Sequence, residues 1–88
     1  MIKTFTILVH EAEEGGYWAE CLELSCGSQG ETLDELDFNI RESIEAVLQV
    51  RAEDGEDITA IKKARNVEAG VGVRKWEISL RLPTLAAA

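Results

Sequence analysis

The stretch GETLDELDFNIRESIEAVL, residues 30–48, decides the architecture of this chain. Thr32 is placed to cap a helix, with Glu35 three residues on as its reciprocal partner, so that two orphan amides are satisfied together. Glu31, Asp34 and Glu35 put negative charge at the positive end of the helix dipole. Leu33, Leu36, Ile40, Ile44, Val47 and Leu48 recur at helical spacing and form one apolar stripe. Such a stripe needs cover, and the chain's own strands are expected to supply it. Asp34, Arg41, Glu45 and Gln49 fall on the opposite, wet face. Phe38 lies off the stripe, as an exposed aromatic or as the edge of a subunit contact.

Upstream of the helix the pattern changes to alternation. Residues 2–9, IKTFTILV, are rich in β-branched and aromatic types and predict a first strand that His10 closes. Phe5, Ile7 and Val9 share one face; Thr4, Thr6 and Leu8 share the other. The polar segment 11–16 ends in Gly15-Gly16, which favours a reversal into an antiparallel partner. In residues 17–22, Tyr17, Ala19 and Cys21 then face one way, and Trp18, Glu20 and Leu22 the other. Residues 23–25 read as a loop, 26–29 as a short third strand, and Gly30 ends it before the helix cap.

Downstream, residues 51–57 stop the helix with charge and Gly55. Residues 58–66 fit either a short helix with Lys62 and Lys63 outward or a loop, and 69–72 fit a turn. Residues 74–82 alternate cleanly, with Trp76, Ile78, Leu80 and Leu82 on one side and Lys75, Glu77, Ser79 and Arg81 on the other. Pro83 is expected to end ladder pairing, leaving 84–88 as a frayed tail. The order is β-β-β-α-β, an α+β class. A last strand reached through a helix is expected beside the first and parallel to it, giving a mixed sheet in spatial order 3-2-1-4 with the one main helix on one face. The other sheet face would be under-covered, and a second subunit over Trp18 or Phe38 would make the protein a homo-oligomer, a dimer or tetramer.

The totals bound the function. With 88 residues, 45% apolar and 30% charged, the chain suits a single soluble domain spanning 1–88, and no apolar run is long enough to span a membrane. The N-terminus has no signal-peptide layout, so a cytoplasmic location is expected. The net charge is −8 and uneven: residues 1–57 hold fifteen acidic and three basic side chains, residues 58–88 two and six. Such acidity disfavours direct nucleic-acid binding and attracts basic partners, or serves solubility alone. Cys21 and Cys26, without nearby histidines, make a poor metal set and read as small buried hydrophobes. No metal, cofactor or catalytic constellation is read, and His10 at a strand end is more often a surface residue than a catalytic one.

Three segments then stand in order and at matching spacing: Gly16-Tyr17-Trp18-Ala19-Glu20; Gln29-Gly30-Glu31-Thr32-Leu33-Asp34-Glu35; and Asn39-Ile40-Arg41-Glu42-Ser43-Ile44. Together, across roughly residues 2–50, they resemble the HicB-like antitoxin domain, whose pattern runs Gly-Tyr-x-Ala, a Pro-Glu-Leu-Pro-Gly loop, Gly-Asp-Thr-x-x-Glu-Ala and Asn-x-x-Glu-Ala-Ile. The chain departs from it at residues 22–26, one residue short of the usual loop, and at Leu36 and Ser43, where alanines are common. Six residues follow Leu82, too few for the helix-turn-helix or ribbon-helix-helix that such antitoxins commonly carry, so DNA reading by this chain is not expected.

The resemblance implies a truncated ribonuclease-H-like fold. It also implies a function, neutralising a small basic HicA-like toxin that cleaves mRNA, to which the acidic residues 1–57 are chemically suited. Enzymes of that fold hold metal ions with acids on strand 1, the first helix and strand 4. Here strand 1 has no acid between Lys3 and Val9, and Glu42, Glu45 and Glu77 do not restore the set, so no nuclease is expected. The candidate contact residues are Glu13, Glu14, Trp18 and Glu20. A free-standing homo-oligomeric module is the alternative.

Overall fold

The computed structural model describes residues 1–64 and 70–82. Strand β1 (Ile2–Glu11) is followed by β2 (Tyr17–Cys21), β3 (Cys26–Gly30), helix α1 (Leu33–Glu53), a single 3₁₀ turn at Ile58–Ala60 and strand β4 (Val73–Arg81). The four strands form one sheet in the order β3-β2-β1-β4, and α1 lies on one face of it. Expected and observed strand orders agree, and β1 runs one residue past His10.

Helix α1 starts where the capping chemistry demands. Thr32 Oγ1 accepts the Glu35 amide at 3.1 Å, and Glu35 Oε1 accepts the amide of Glu31 at 3.3 Å, one residue beyond the reciprocal bond expected at Thr32. Leu36, Ile40, Ile44 and Leu48 are fully buried, and Ala52 continues the stripe by one turn. Each large side chain of this kind contributes about 1.5–3 kcal/mol by leaving water. They pack on Phe5, Ile7 and Val9 of β1, Ala19 and Cys21 of β2, and Ile78 and Leu80 of β4. Phe38 stays outside the core, 67% exposed.

Gly30 makes the strand-to-helix passage possible. A Cβ there would stand 2.6 Å from the Leu36 amide nitrogen, so only glycine lets the end of β3 approach the first helical turn this closely. Two helix side chains then take the outward carbonyls of this edge strand. Asn39 Nδ2 donates to Gln29 O at 2.8 Å and Ser43 Oγ to Gly27 O at 3.1 Å. Acceptors that would otherwise recruit another strand are thereby occupied.

The expected mixed sheet is corrected: β4 runs antiparallel to β1, with His10 opposite Val73 and Ile2 opposite Arg81. A parallel β4 would have to begin at the Ile2 end of β1, close to where α1 finishes. Instead the connection between α1 and β4 is long enough to travel the length of β1, which rises roughly 33 Å over its ten residues. Its course is pinned. Lys3 Nζ donates to Thr59 O at 3.4 Å near the Ile2 end, and Ile58 is buried in the core there. The Glu23 carboxylate then bridges β1 to the connection, accepting the Thr6 amide at 2.7 Å on one oxygen and the Ala64 amide at 2.9 Å on the other. Lys63 Nζ, 3.8 Å from Glu77 Oε1, carries the chain towards the face opposite α1. The chain then enters β4 through a turn in which Val73 N bonds Gly70 O, and it must run back towards Ile2. The ambiguous residues 58–66 thus hold one 3₁₀ turn followed by irregular chain to Ala64. Residues 65–69, Pro83 and the expected tail 84–88 lie outside the described residues.

The face opposite α1 is less bare than expected. Thr6 and Leu8 are both buried there, at 2% and 8% exposure.

Candidate functional site

The β1–β2 turn, the exit of β3 and the start of α1 meet at one end of the sheet. The turn closes through Ala12 N to Gly16 O and Gly15 N to Ala12 O, both 3.1 Å, with Gly15 and Gly16 at φ +97° and +77°. Those left-handed torsions suit glycine and let β2 enter in register beneath β1. The register sets His10 opposite Trp18, and their rings stack with centroids 3.9 Å apart and planes within 8°. His10 Nε2 is enclosed with no hydrogen-bond partner among the described residues. Trp18 remains 42% exposed.

Two shallow hollows both include Trp18 in their lining. One, of about 390 Å³, opens beside Gly15, Gly16, Tyr17, Gly30, Glu31 and Glu35. The other, of about 520 Å³, lies along Trp18, Glu20, Leu22 and Gly27. Glu13 and Glu14 stand exposed in the turn, and Glu20 is half-buried on the same face as Trp18. Trp18 and Glu20 therefore share a groove, whereas Glu13 and Glu14 lie at the end of the sheet and line neither hollow. Glu11, Glu31, Asp34 and Glu35 add exposed carboxylates at this end, the last three beside the positive end of the α1 dipole.

No family model and no solved structure matches the chain. Over 50 residues it is 36% identical to UPF0150 protein ssl0738 of Synechocystis sp., an alignment covering 56% of this chain and 69% of that protein. Over 61 residues it is 43% identical to UPF0150 protein ssr1258 of the same organism, covering 67% of this chain and 88% of that protein. The chain belongs to the UPF0150 family.

In this UPF0150 chain the acids of the helix start were legible only as capping and helix-dipole charges. That Glu31 and Glu35 join the turn beside Trp18 depends on hairpin register. The Gly15-Gly16 reversal was the available signal, since it sets His10 opposite Trp18. Glu23, unremarked in the sequence, is the most heavily bonded carboxylate of the described residues. Burial pushes its acidity down, but the Thr6 and Ala64 amides outweigh this and hold the carboxyl below the usual range. Glu42 and Glu45 are exposed on α1, while Glu77 is exposed on the opposite face of the sheet, so these three do not converge. Among the described residues no three His, Cys, Asp or Glu side chains form a cation site, and no helix is long and apolar enough to cross a membrane.

Proposed function

We propose that this UPF0150 protein is a HicB-like antitoxin: a non-enzymatic binder that occupies the RNA-holding surface of a small basic, mRNA-cleaving toxin. The observation that carries the reading is the gathering of Glu11, Glu13, Glu14, Glu31, Asp34 and Glu35 at one end of the sheet, next to the exposed Trp18. Carboxylates presented beside a flat aromatic resemble the anionic phosphates and stacking bases that an RNA offers a basic ribonuclease. The strand order with a helix after β3 supports a truncated ribonuclease-H-like ancestry for β1–β3 and α1, from which the antiparallel β4 departs. A cytoplasmic location, and no direct nucleic-acid binding by so acidic a surface, belong to the same proposal.

A homo-oligomer formed through β4 accompanies it. Leu82 N bonds Met1 O, so by alternation the main-chain groups of Glu77, Ser79 and Arg81 face away from β1, and no described residue pairs with them. An antiparallel β4–β4 pair closes by two-fold symmetry, whereas the β3 edge is already occupied by Asn39 and Ser43.

The test is recovery of the tagged full chain from its native host with mass measurement of what co-elutes. The reading expects a small basic protein at fixed stoichiometry whose RNA cleavage the chain suppresses. Charge reversal at Glu13, Glu14 and Glu20 should weaken the complex and flatten its salt dependence. A free homo-oligomer with no such partner would leave the alternative, a module with a structural or small-ligand role.

A further inference from the structure

Cys21 and Cys26 face each other as the last pair of the β2–β3 hairpin, and both are free thiols. Ser25, at φ +54°, turns the chain between them and donates its amide to Cys21 O at 2.9 Å; Leu22 N bonds Thr6 O, so by alternation the main-chain groups of Cys21 face β3 and the pair stands on a hydrogen-bonded rung of the ladder. Opposed residues on such rungs stand about 5.5 Å apart at Cα, inside the span a disulfide bridges. Both side chains point to the α1 face. Cys21 is buried at 1% exposure, while Cys26 on the edge strand is half-buried and reachable from solvent.

The surroundings of the two thiols differ. Around Cys26 are the Cys21 thiol, the Ser43 hydroxyl and the Arg51 guanidinium of α1, which also reaches Leu24 O at 3.4 Å. Around Cys21 are the Cys26 sulfur and the Glu23 carboxylate, 3.9 Å away. The neighbouring Cys21 thiol, with Ser43 and Arg51, outweighs burial and pulls Cys26 down to about 6, while the Cys26 sulfur and burial push Cys21 up.

We propose that this pair is a thiol-modification site for small disulfides, with Cys26 the attacking sulfur and Cys21 the resolving one. The Cys26 thiolate attacks one sulfur of the small disulfide, forming a mixed disulfide and expelling the other half as a thiolate. Cys21 then gives its proton to that thiolate and attacks the Cys26 sulfur, and the second half leaves and takes a proton from water to become a thiol. The two cysteines lose two electrons in forming their bond, and the small disulfide gains them as two thiols. The bond would staple the turn that carries Glu23.

Glutathione disulfide at pH 7, followed by acid quench and intact-mass measurement of the full chain, tests the site. Wild type should lose two hydrogens and retain no glutathione. Cys21→Ala should retain one glutathione, and Cys26→Ser should react at least about tenfold more slowly than wild type. Equal glutathione retention by wild type and Cys21→Ala, or undiminished reaction of Cys26→Ser, would overturn the proposal. A readout on chains with both thiols in place guards against misfolded variants. The pH midpoint of Cys26 alkylation should lie near 6 in wild type and rise in Ser43→Ala; an ordinary thiol midpoint in both would end the proposal.

Discussion

Replacing Glu23 by Ala removes one side chain that holds two distant parts of the chain to each other. Its two oxygens accept the Thr6 amide at 2.7 Å and the Ala64 amide at 2.9 Å. Hydrogen bonds to a charged partner contribute about 1.5–3 kcal/mol each when sheltered. Glu23 is only half-buried, so water recovers part of that, and the combined loss should be about 2 kcal/mol. For a domain of this size that lowers Tm by roughly 10 °C, readable by circular dichroism. Glu23→Gln keeps one acceptor oxygen and should lose about half as much.

The pH dependence follows the sign of the shift. The folded carboxyl is held below its ordinary value of 4.5, so its stabilisation is complete above that pH and is lost as pH falls through the folded value. Wild type should therefore lose stability more steeply than Glu23→Gln below pH 4.5 and run parallel to it above. A Glu23→Ala protein melting within about 2 °C of wild type would refute the claim that this carboxylate holds the connection against β1.

Three further outcomes are expected. Ile40→Ala opens a cavity beneath the centre of α1, where the side chain is fully buried, and should cost about 3 kcal/mol in urea unfolding; a loss under about 1 kcal/mol would contradict the packing described. Gly30→Ala forces a carbon to 2.6 Å from the Leu36 nitrogen, so β3 must part from α1, and amide exchange should accelerate at Leu36 while β1–β4 pairing stays protected. Thr32→Ala removes the acceptor for the Glu35 amide at an exposed helix end and should cost about 1 kcal/mol, with Thr32→Ser restoring most of it.

Much of the fold was legible because it is written locally. The Thr32–Glu35 cap, the stripe from Leu36 to Leu48 and the alternation of residues 74–82 each specify an element and the face it buries, since burial follows the period of the backbone. Gly15-Gly16 likewise marks the turn that sets His10 opposite Trp18. The candidate acids were legible as charges, but Glu13 and Glu14 turned out to lie apart from the groove that Trp18 and Glu20 share. Cys21 and Cys26, read from sequence as separate buried hydrophobes, became a facing pair only when β2 and β3 were in register.

Residue periodicity by itself determined that the chain makes three strands, a capped helix and a fourth strand, and which side of each turns inward. The direction of β4 was decided by tertiary structure alone. Alternation looks the same read from either end, so nothing in residues 74–82 says which way the strand must run. That depended on the connection being held to β1 by Lys3 and Glu23, contacts between residues 56 and 41 positions apart in the chain.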